Sequence, residues 1–182
     1  MKTALLIIDL QNDYFPEGNN ELVNSLAASV KARELLSCFR KKELTVVHIR
    51  HLSARPGATF FIPGTPGAEI HENVKPLKNE KVIIKNYPNS FRETALHNYL
   101  QEQQIDNLVV SGMMSHMCVD ATVRAAKDLG YRVTVAEDAC ATKDLTFHGK
   151  KILAQEVHGS FMVALSHFYA EIKPSAELVE QF

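Results

Sequence analysis

Short apolar runs alternate with longer amphipathic segments along the whole chain. Six apolar runs have the length and composition of buried β-strands, and they cover residues 3–8, 44–50, 81–84, 107–111, 132–136 and 168–172. Four segments carry apolar residues at helical spacing, and they cover residues 21–42, 92–103, 116–129 and 144–164. We predict that Asn20 caps the first helix. Strands that alternate with helices predict an α/β fold, in which helices cover both faces of a parallel sheet.

Three polar residues stand at the ends of these apolar runs. Asp9 follows the first run, Lys85 the third, and Cys118 lies just past the fourth. In a doubly wound, mainly parallel sheet of six strands in the order 3-2-1-4-5-6, ligands bind where strands 1 and 4 diverge. We therefore expect Asp9 and Cys118 to face each other there. The backbone of Lys85 is two strands away from that of Asp9, at about 10 Å. The long side chain of Lys85 can bridge most of this distance.

The surroundings of Cys118 favour a reactive thiol. It lies in the first turn of a predicted helix that follows Gly112. The positive end of the helix and a nearby Lys85 are expected to lower the thiol pKa, and backbone amides of the turn would face an oxyanion. Each residue also has a simpler interpretation: Cys118 as a packing residue, Asp9 as a turn cap and Lys85 as a solvated surface residue.

Composition narrows the functional class. The 182 residues include 20 basic and 21 acidic ones, for a net charge of −1, which argues against a nucleic-acid-binding protein or a polybasic membrane binder. No signal peptide or membrane-spanning run is evident, and three cysteines are too few for a disulfide framework. We expect one cytoplasmic domain over residues 1–182, with reduced thiols.

The segment from Pro56 to Gly67 breaks the alternation, because it holds three of the seven prolines and three of the eight glycines. Such long loops in compact domains are usually functional or disordered. Phe60 and Phe61 need a surface to pack on, which favours an ordered loop. It either lies over the strand ends or contacts a second copy of the chain.

The ordered motifs resemble the isochorismatase-like cysteine hydrolases. They are DLQNDYF at 9–15, GTPGAE at 64–69, Lys85 with SF at 90–91, GMMSHMCVDAT at 112–122, and EDA at 137–139. The resemblance implies a three-layer Rossmann-like α/β/α fold and a catalytic triad of Asp9, Lys85 and Cys118. It also implies a cis peptide between Met113 and Met114, and an oxyanion hole formed by the backbone amides of Met114 and Cys118.

Nicotinamidases of this family bind a metal through an Asp-x-His pair after the second strand and a further histidine. Here His51, Ser53 and Phe60 stand in those places, so we predict no metal and no cofactor. His48 and His71 remain nearby in sequence. His48 and His51 are three apart on a strand and point to opposite faces, so structural or substrate-contact roles are expected for these histidines.

The favoured hypothesis is a cysteine-dependent hydrolase of a small amide or carbamoyl compound, acting through a thioester. Nicotinamide hydrolysis and isochorismatase-type cleavage of a vinyl ether are alternatives, weakened by the missing metal ligands and by the presence of Cys118. A non-catalytic thiol redox or binding protein, with Cys140 as resolving thiol, is an alternative of another class.

We expect a homo-oligomer that takes a small-molecule substrate. Predicted substrate contacts are Phe15, Phe60, Phe61, Phe91, Ser115 and His116, with Tyr14 and Tyr87 as further walls.

Overall fold

The computed structural model describes residues 2–182 and contains a six-stranded parallel sheet. The described residues contain eight strands, of which six form this sheet. They are β1 (Thr3–Ile8), β2 (Thr45–His51), β3 (Lys81–Lys85), β4 (Asn107–Met113), β5 (Arg132–Ala141), β6 (Leu145–Phe147), β7 (Lys150–Ile152) and β8 (Glu171–Lys173). The sheet has the order β3-β2-β1-β4-β5-β8, and every pair in it is parallel. The predicted order is confirmed, with β8 as the sixth strand, because β6 and β7 form a separate hairpin.

Helices cover both faces of this sheet. They are α1 (Ser25–Lys41), α2 (Leu96–Glu102), α3 (Asp120–Asp128), α4 (Ala154–Ser166) and α5 (Ser175–Gln181). Apolar residues of α2, α3 and α4 share one core cluster, and those of α1 and α5 share the other. None of the helices within residues 2–182 is long and apolar enough to cross a membrane.

Strand β1 lies at the centre of both cores. Leu6 and Ile8 belong to the cluster on one face, whereas Leu5 and Ile7 belong to the cluster on the other. Side chains alternate between the faces of a sheet, so a strand with two covered faces is apolar at every position. This explains the uninterrupted apolar run, and it fixes the polar residue that follows, Asp9, at the carboxyl edge of the sheet.

Three of the predicted helix starts are wrong, and one of them is that of α2, which begins at Leu96 and not at residue 92. Helix α1 begins at Ser25, because Leu22 and Val23 donate backbone hydrogen bonds to Tyr14 and Thr142 instead of entering the helix. Asn20 does not cap it; its Oδ1 accepts a hydrogen bond from Lys143 Nζ at 2.7 Å.

The fourth predicted helix begins ten residues late, at Ala154, because residues 145–152 form the antiparallel hairpin of β6 and β7. His148 and Gly149 at its tip both have positive φ values, 48° and 74°. That pair of left-handed residues is typical of a two-residue hairpin turn. Helix α5 was not predicted at all.

Glu80 joins three elements at the start of β3. Its carboxylate accepts hydrogen bonds from Arg40 Nε and Nη2 at 2.7 and 2.8 Å, and from the Leu77 amide at 2.8 Å. His48 Nε2 lies 3.0 Å away. Although burial raises the pKa of Glu80, these donors lower it to about 2 from an ordinary 4.5. The carboxylate therefore links α1 and β2 to the turn before β3.

We expect Glu80→Gln to lower the free energy of unfolding by about 1–3 kcal/mol at pH 7, because charge-assisted hydrogen bonds are lost. The group's pKa is depressed by folding, so its stabilisation is present above pH 4.5 and is lost as the pH falls toward 2. Urea denaturation at several pH values should show the difference from the parent shrinking in acid. Glu72→Gln, at an exposed ion pair, should cost less than about 0.5 kcal/mol. A difference that stays constant down to pH 3 would contradict this assignment.

Candidate active site

Asp9 and Lys85 form a buried ion pair at the carboxyl edge of the sheet. Asp9 leaves β1 with a left-handed φ of 52°, a conformation that aspartate tolerates better than most residues. Lys85 is the last residue of β3, and its Nζ lies 2.7 Å from Asp9 Oδ2. Both side chains are fully buried. The lysine therefore spans the intervening strand, as its position at the strand end predicts.

His51 ends that intervening strand and completes the environment of the ammonium. Its Nδ1 lies 2.9 Å from Lys85 Nζ and 3.8 Å from Asp9 Oδ2. Lys85 also donates to the Tyr87 carbonyl at 3.0 Å. The ammonium thus has two hydrogen-bond partners, His51 and the Tyr87 carbonyl, and the Asp9 carboxylate as its counter-ion. Because Nδ1 accepts from the ammonium, we assign the tautomer of His51 that carries its hydrogen on Nε2.

Cys118 reaches the same cluster from the other side of β1. It lies in a π-helical turn, Ser115–Val119, between β4 and α3, and its side chain is buried. One carboxylate oxygen of Asp9, a ring nitrogen of His51 and Cys118 Sγ lie within 4.8 Å of one another. The predicted grouping of Asp9, Lys85 and Cys118 is thus present in space, with His51 as an added member.

The protonation states follow from burial and from the ion pair. Burial alone would raise the pKa of Asp9, but the Lys85 ammonium and His51 outweigh it, so this pKa is lowered. Burial would lower the pKa of Lys85, yet the charge of Asp9 outweighs it and the pKa is raised. Asp9 is therefore a carboxylate and Lys85 an ammonium at neutral pH.

The expected lowering of the Cys118 pKa is wrong. Burial raises this pKa well above its usual range, and the negative charge of Asp9 raises it further than Lys85 lowers it. The ammonium is already paired with Asp9, so it adds little net positive charge at the sulfur. The resting thiol is protonated. Asp9 Oδ1, the oxygen not engaged by Lys85, is available to accept its proton.

The turn that carries Cys118 depends on Gly112. This residue pairs with Ile8 across β4 and β1 and has a φ of 147°. A Cβ at this position would lie 2.3 Å from the Ile8 carbonyl oxygen, so only glycine lets the two strand ends approach this closely. The peptide between Met113 and Met114 is cis, as predicted.

A cavity of about 280 Å³ opens from Cys118 toward the surface. Most of its walls are aromatic or apolar side chains, and a few polar residues complete them. The lining residues are Tyr14, His51, Ser53, Ala54, Arg55, Phe60, Asn86, Tyr87, Pro88, Met114, Met117 and Cys118. Its size is just below the usual range for small-molecule pockets.

Comparison with known proteins gives a consistent result. The family model described as Isochorismatase domain matches residues 3–162. This chain belongs to the isochorismatase family. The isochorismatase family protein YddQ of Bacillus subtilis is 51% identical over 173 residues, which are 95% of this chain and 96% of that protein.

Solved structures of isochorismatase-family hydrolases agree with the fold. A crystal structure of an isochorismatase hydrolase from Oleispira antarctica matches with a TM-score of 0.95 and 47% identity, over 98% of this chain and 96% of that one. The N-carbamoylsarcosine amidase of Thermoplasma acidophilum matches with a TM-score of 0.81 and 25% identity, over 96% of this chain and 97% of that one. This chain is therefore a hydrolase of the isochorismatase family.

In this isochorismatase-family chain, the proline- and glycine-rich loop is ordered through Asp13. The Asp13 carboxylate accepts a hydrogen bond from the Phe61 amide at 2.6 Å, and Phe61 packs against Tyr14 with ring centroids 4.6 Å apart. The loop thus lies over the strand ends, as one of the two interpretations predicts. It places Phe60, a predicted contact, in the cavity wall.

The other five predicted substrate contacts do not line the cavity. Phe15 stacks on His71 at 3.7 Å, and Phe91 stacks on Tyr131 at 5.9 Å. Phe61 lies behind the wall. The loops that carry these rings turn toward the core, because each ring finds an apolar or aromatic partner there.

Ser115 and His116 lie in the π-helical turn that carries Cys118, and neither lines the cavity. The Ser115 hydroxyl bonds to His158 Nδ1 at 2.8 Å and to the Ala141 carbonyl at 3.3 Å. His116 Nδ1 bonds to the Thr142 hydroxyl. These bonds attach the turn to α4, to β5 and to the residue that follows β5.

Sequence reasoning did not place His51 beside Asp9, Lys85 and Cys118. The signal was available, because His51 ends an apolar run just as Lys85 does, and strand ends meet at the same edge. Ser53, Arg55, Asn86 and Met117 line the cavity without a comparable signal, since they lie in loops or on an irregular turn.

His48, His51 and His71 have separate partners and do not form a cluster. His48 contacts Glu80, and His71 accepts a hydrogen bond from the Asn73 amide. Within residues 2–182, Asp9, His51 and Cys118 are the set whose donor atoms could surround an ion. Lys85 Nζ already lies 2.7 and 2.9 Å from two of those residues, so this arrangement does not fit a cation.

Proposed function

We propose that this chain is a cysteine hydrolase that cleaves a small amide or carbamoyl compound through a thioester on Cys118. The observation that carries the proposal is the buried Asp9–Lys85 pair beside the Cys118 thiol at the inner end of the cavity. The cavity volume of about 280 Å³ is just below the range usual for pockets that hold drug-sized ligands. That size suits a small substrate. The similarity to an N-carbamoylsarcosine amidase supports carbonyl–nitrogen chemistry.

The first half-reaction uses Asp9 as a general base. The Cys118 proton passes to the Asp9 carboxylate while the sulfur attacks the carbonyl carbon. The amides of Met114 and Cys118 stabilise the resulting oxyanion. When the intermediate collapses, the carbon–nitrogen bond breaks and Asp9 returns the proton to the departing ammonia or amine. A thioester on Cys118 remains.

The second half-reaction hydrolyses this thioester. Water attacks the acyl carbon and gives a proton to Asp9, which passes it to the departing Cys118 sulfur. The products are a carboxylic or carbamic acid and the resting thiol. Lys85 stays protonated throughout, because its pKa is raised by Asp9, and it keeps Asp9 in position through their 2.7 Å contact.

The thiol pKa values favour hydrolysis over redox sensing. A sensor thiol reacts as the thiolate and is usually exposed. Burial raises the pKa of Cys118 well above its usual range and that of Cys140 to about 12. Neither thiol is therefore poised for oxidation. A protonated thiol beside a carboxylate base is instead suited to attack with proton transfer.

An ammonia-release screen tests the proposed function. The substrates are small primary amides, ureido acids and other carbamoyl compounds, each incubated with the parent protein and with Cys118→Ala. We expect at least one substrate to release ammonia with the parent and not with the variant. Equal release by both proteins, or release from none of the panel, would contradict the proposal.

A further inference from the structure

Arg55 supplies a cation at the outer end of the catalytic cavity. It lies in the loop after β2, is exposed, and lines the same cavity as the buried Cys118. Its guanidinium makes no hydrogen bond or ion pair with any of residues 2–182. An arginine presents five N–H donors in a planar fork that matches a carboxylate. A free fork facing a cavity therefore offers a site for an anionic group.

Two other polar side chains of the cavity wall are already engaged in hydrogen bonds. The Ser53 hydroxyl donates to the Phe60 carbonyl at 2.8 Å, and the Asn86 amide donates to the Leu52 carbonyl at 2.7 Å. No carboxylate is among the residues that line the cavity, and the charge of Asp9 is paired with Lys85. The cavity therefore carries one uncompensated charge, and it is positive.

Aromatic rings form much of the cavity wall. Tyr14 and Phe60 pack with ring centroids 5.9 Å apart. Tyr87 is held by Arg92, whose guanidinium carbon lies 3.7 Å from the ring centroid. These rings carry no formal charge, so Arg55 is the charged side chain that an anionic group meets among the lining residues.

We infer that Arg55 determines specificity for substrates with a carboxylate at the end opposite the scissile carbonyl, such as dicarboxylic acid monoamides and ureido acids. The inference rests on the proposed function, because it assigns the scissile carbonyl to Cys118. With the carbonyl at the inner end of the cavity, the far end of a short substrate reaches the rim, where the guanidinium receives it. A neutral amide of equal length gives the Arg55 guanidinium no carboxylate to bind.

Two matched pairs of probes test Arg55. Succinamate is compared with butanamide, and N-carbamoylglycine with N-ethylurea, so that each pair differs in the carboxylate. Binding is measured by calorimetry in the Cys118→Ala background, where no turnover interferes, and kcat/KM is measured with Cys118 present. Arg55→Gln removes the charge, Arg55→Lys keeps it without the fork, and Arg33→Gln serves as a matched control at an exposed arginine on α1.

We expect the carboxylate member of at least one pair to be preferred over its neutral partner by about tenfold or more. Arg55→Gln should reduce that preference at least about tenfold, Arg55→Lys should reduce it less, and Arg33→Gln should not change it. A preference that is absent in the parent, or that survives Arg55→Gln, would overturn the inference. Carboxylate-selective binding without turnover of any probe would count against the proposed function and leave the role of Arg55 supported.

Discussion

Cys118→Ala is expected to reduce ammonia release by about 10⁴-fold or more, because removing the nucleophile of a covalent mechanism removes its main pathway. No other thiol can replace it. Cys38 lies on α1, and Cys140 is buried in β5, where its sulfur contacts the Ala136 carbonyl. The loss should appear in kcat, since the cavity walls that bind substrate are unchanged. Steady-state ammonia release with the best substrate of the screen measures it.

The stability of the same variant separates chemistry from folding. Cys118→Ala removes a single buried sulfur, so the free energy of unfolding should fall by about 1 kcal/mol. Cys140→Ala makes the same change at a buried thiol outside the cavity, and it should keep activity within about threefold of the parent. Comparable activity loss in the two variants would indicate a general packing effect and would refute the nucleophilic role.

Lys85→Met is expected to damage both activity and stability. Removal of the Lys85 ammonium leaves Asp9 buried without a counter-ion. In comparable buried pairs this costs about 3–5 kcal/mol of folding free energy. The carboxyl escapes part of this penalty by taking a proton, because burial is the largest influence on its pKa and acts to raise it. A protonated Asp9 cannot act as the base, so turnover should fall by at least about 10²-fold.

A double variant shows whether the unpaired charge of Asp9 causes the loss of stability in Lys85→Met. Lys85→Met combined with Asp9→Asn removes the buried charge altogether, so it should be more stable than Lys85→Met alone while remaining inactive. Lys81→Met, at the exposed start of the same strand, should cost less than about 1 kcal/mol. If Lys81→Met and Lys85→Met were equally destabilising in urea denaturation, the buried-pair account would be wrong.

Positions at strand ends could be predicted from the sequence because a parallel sheet brings its carboxyl ends to one edge. Asp9, Lys85 and Cys118 met as expected for that reason, and the uninterrupted apolar β1 indicated a sheet covered on both faces. The same argument applies to His51, for which the sequence predicts a structural or substrate-contact role. Strand-end position thus carries more information than residue type at this edge.

Loop conformation and protonation could not be predicted in the same way. Whether Phe60 or Phe61 faces the cavity depends on a hydrogen bond from the Phe61 amide to Asp13, 48 residues earlier. The thiol pKa depends on how deeply Cys118 is buried and on Lys85 already being paired with Asp9. Both are tertiary properties, and the expectation from the helix end and a nearby Lys85 had the wrong direction for the thiol pKa.

The most direct test of the central claim is intact-protein mass spectrometry of the parent, quenched with acid during turnover of an amide substrate. The account predicts an added mass equal to the substrate minus ammonia (or the departing amine), mapped by peptide digestion to Cys118 and missing from Cys118→Ala. Turnover without an adduct on Cys118 would contradict the account, provided that the test includes a substrate whose acyl group is hydrolysed slowly. A reversible disulfide between Cys118 and Cys140 in place of the adduct would instead show the thiol redox chemistry that the account rejects.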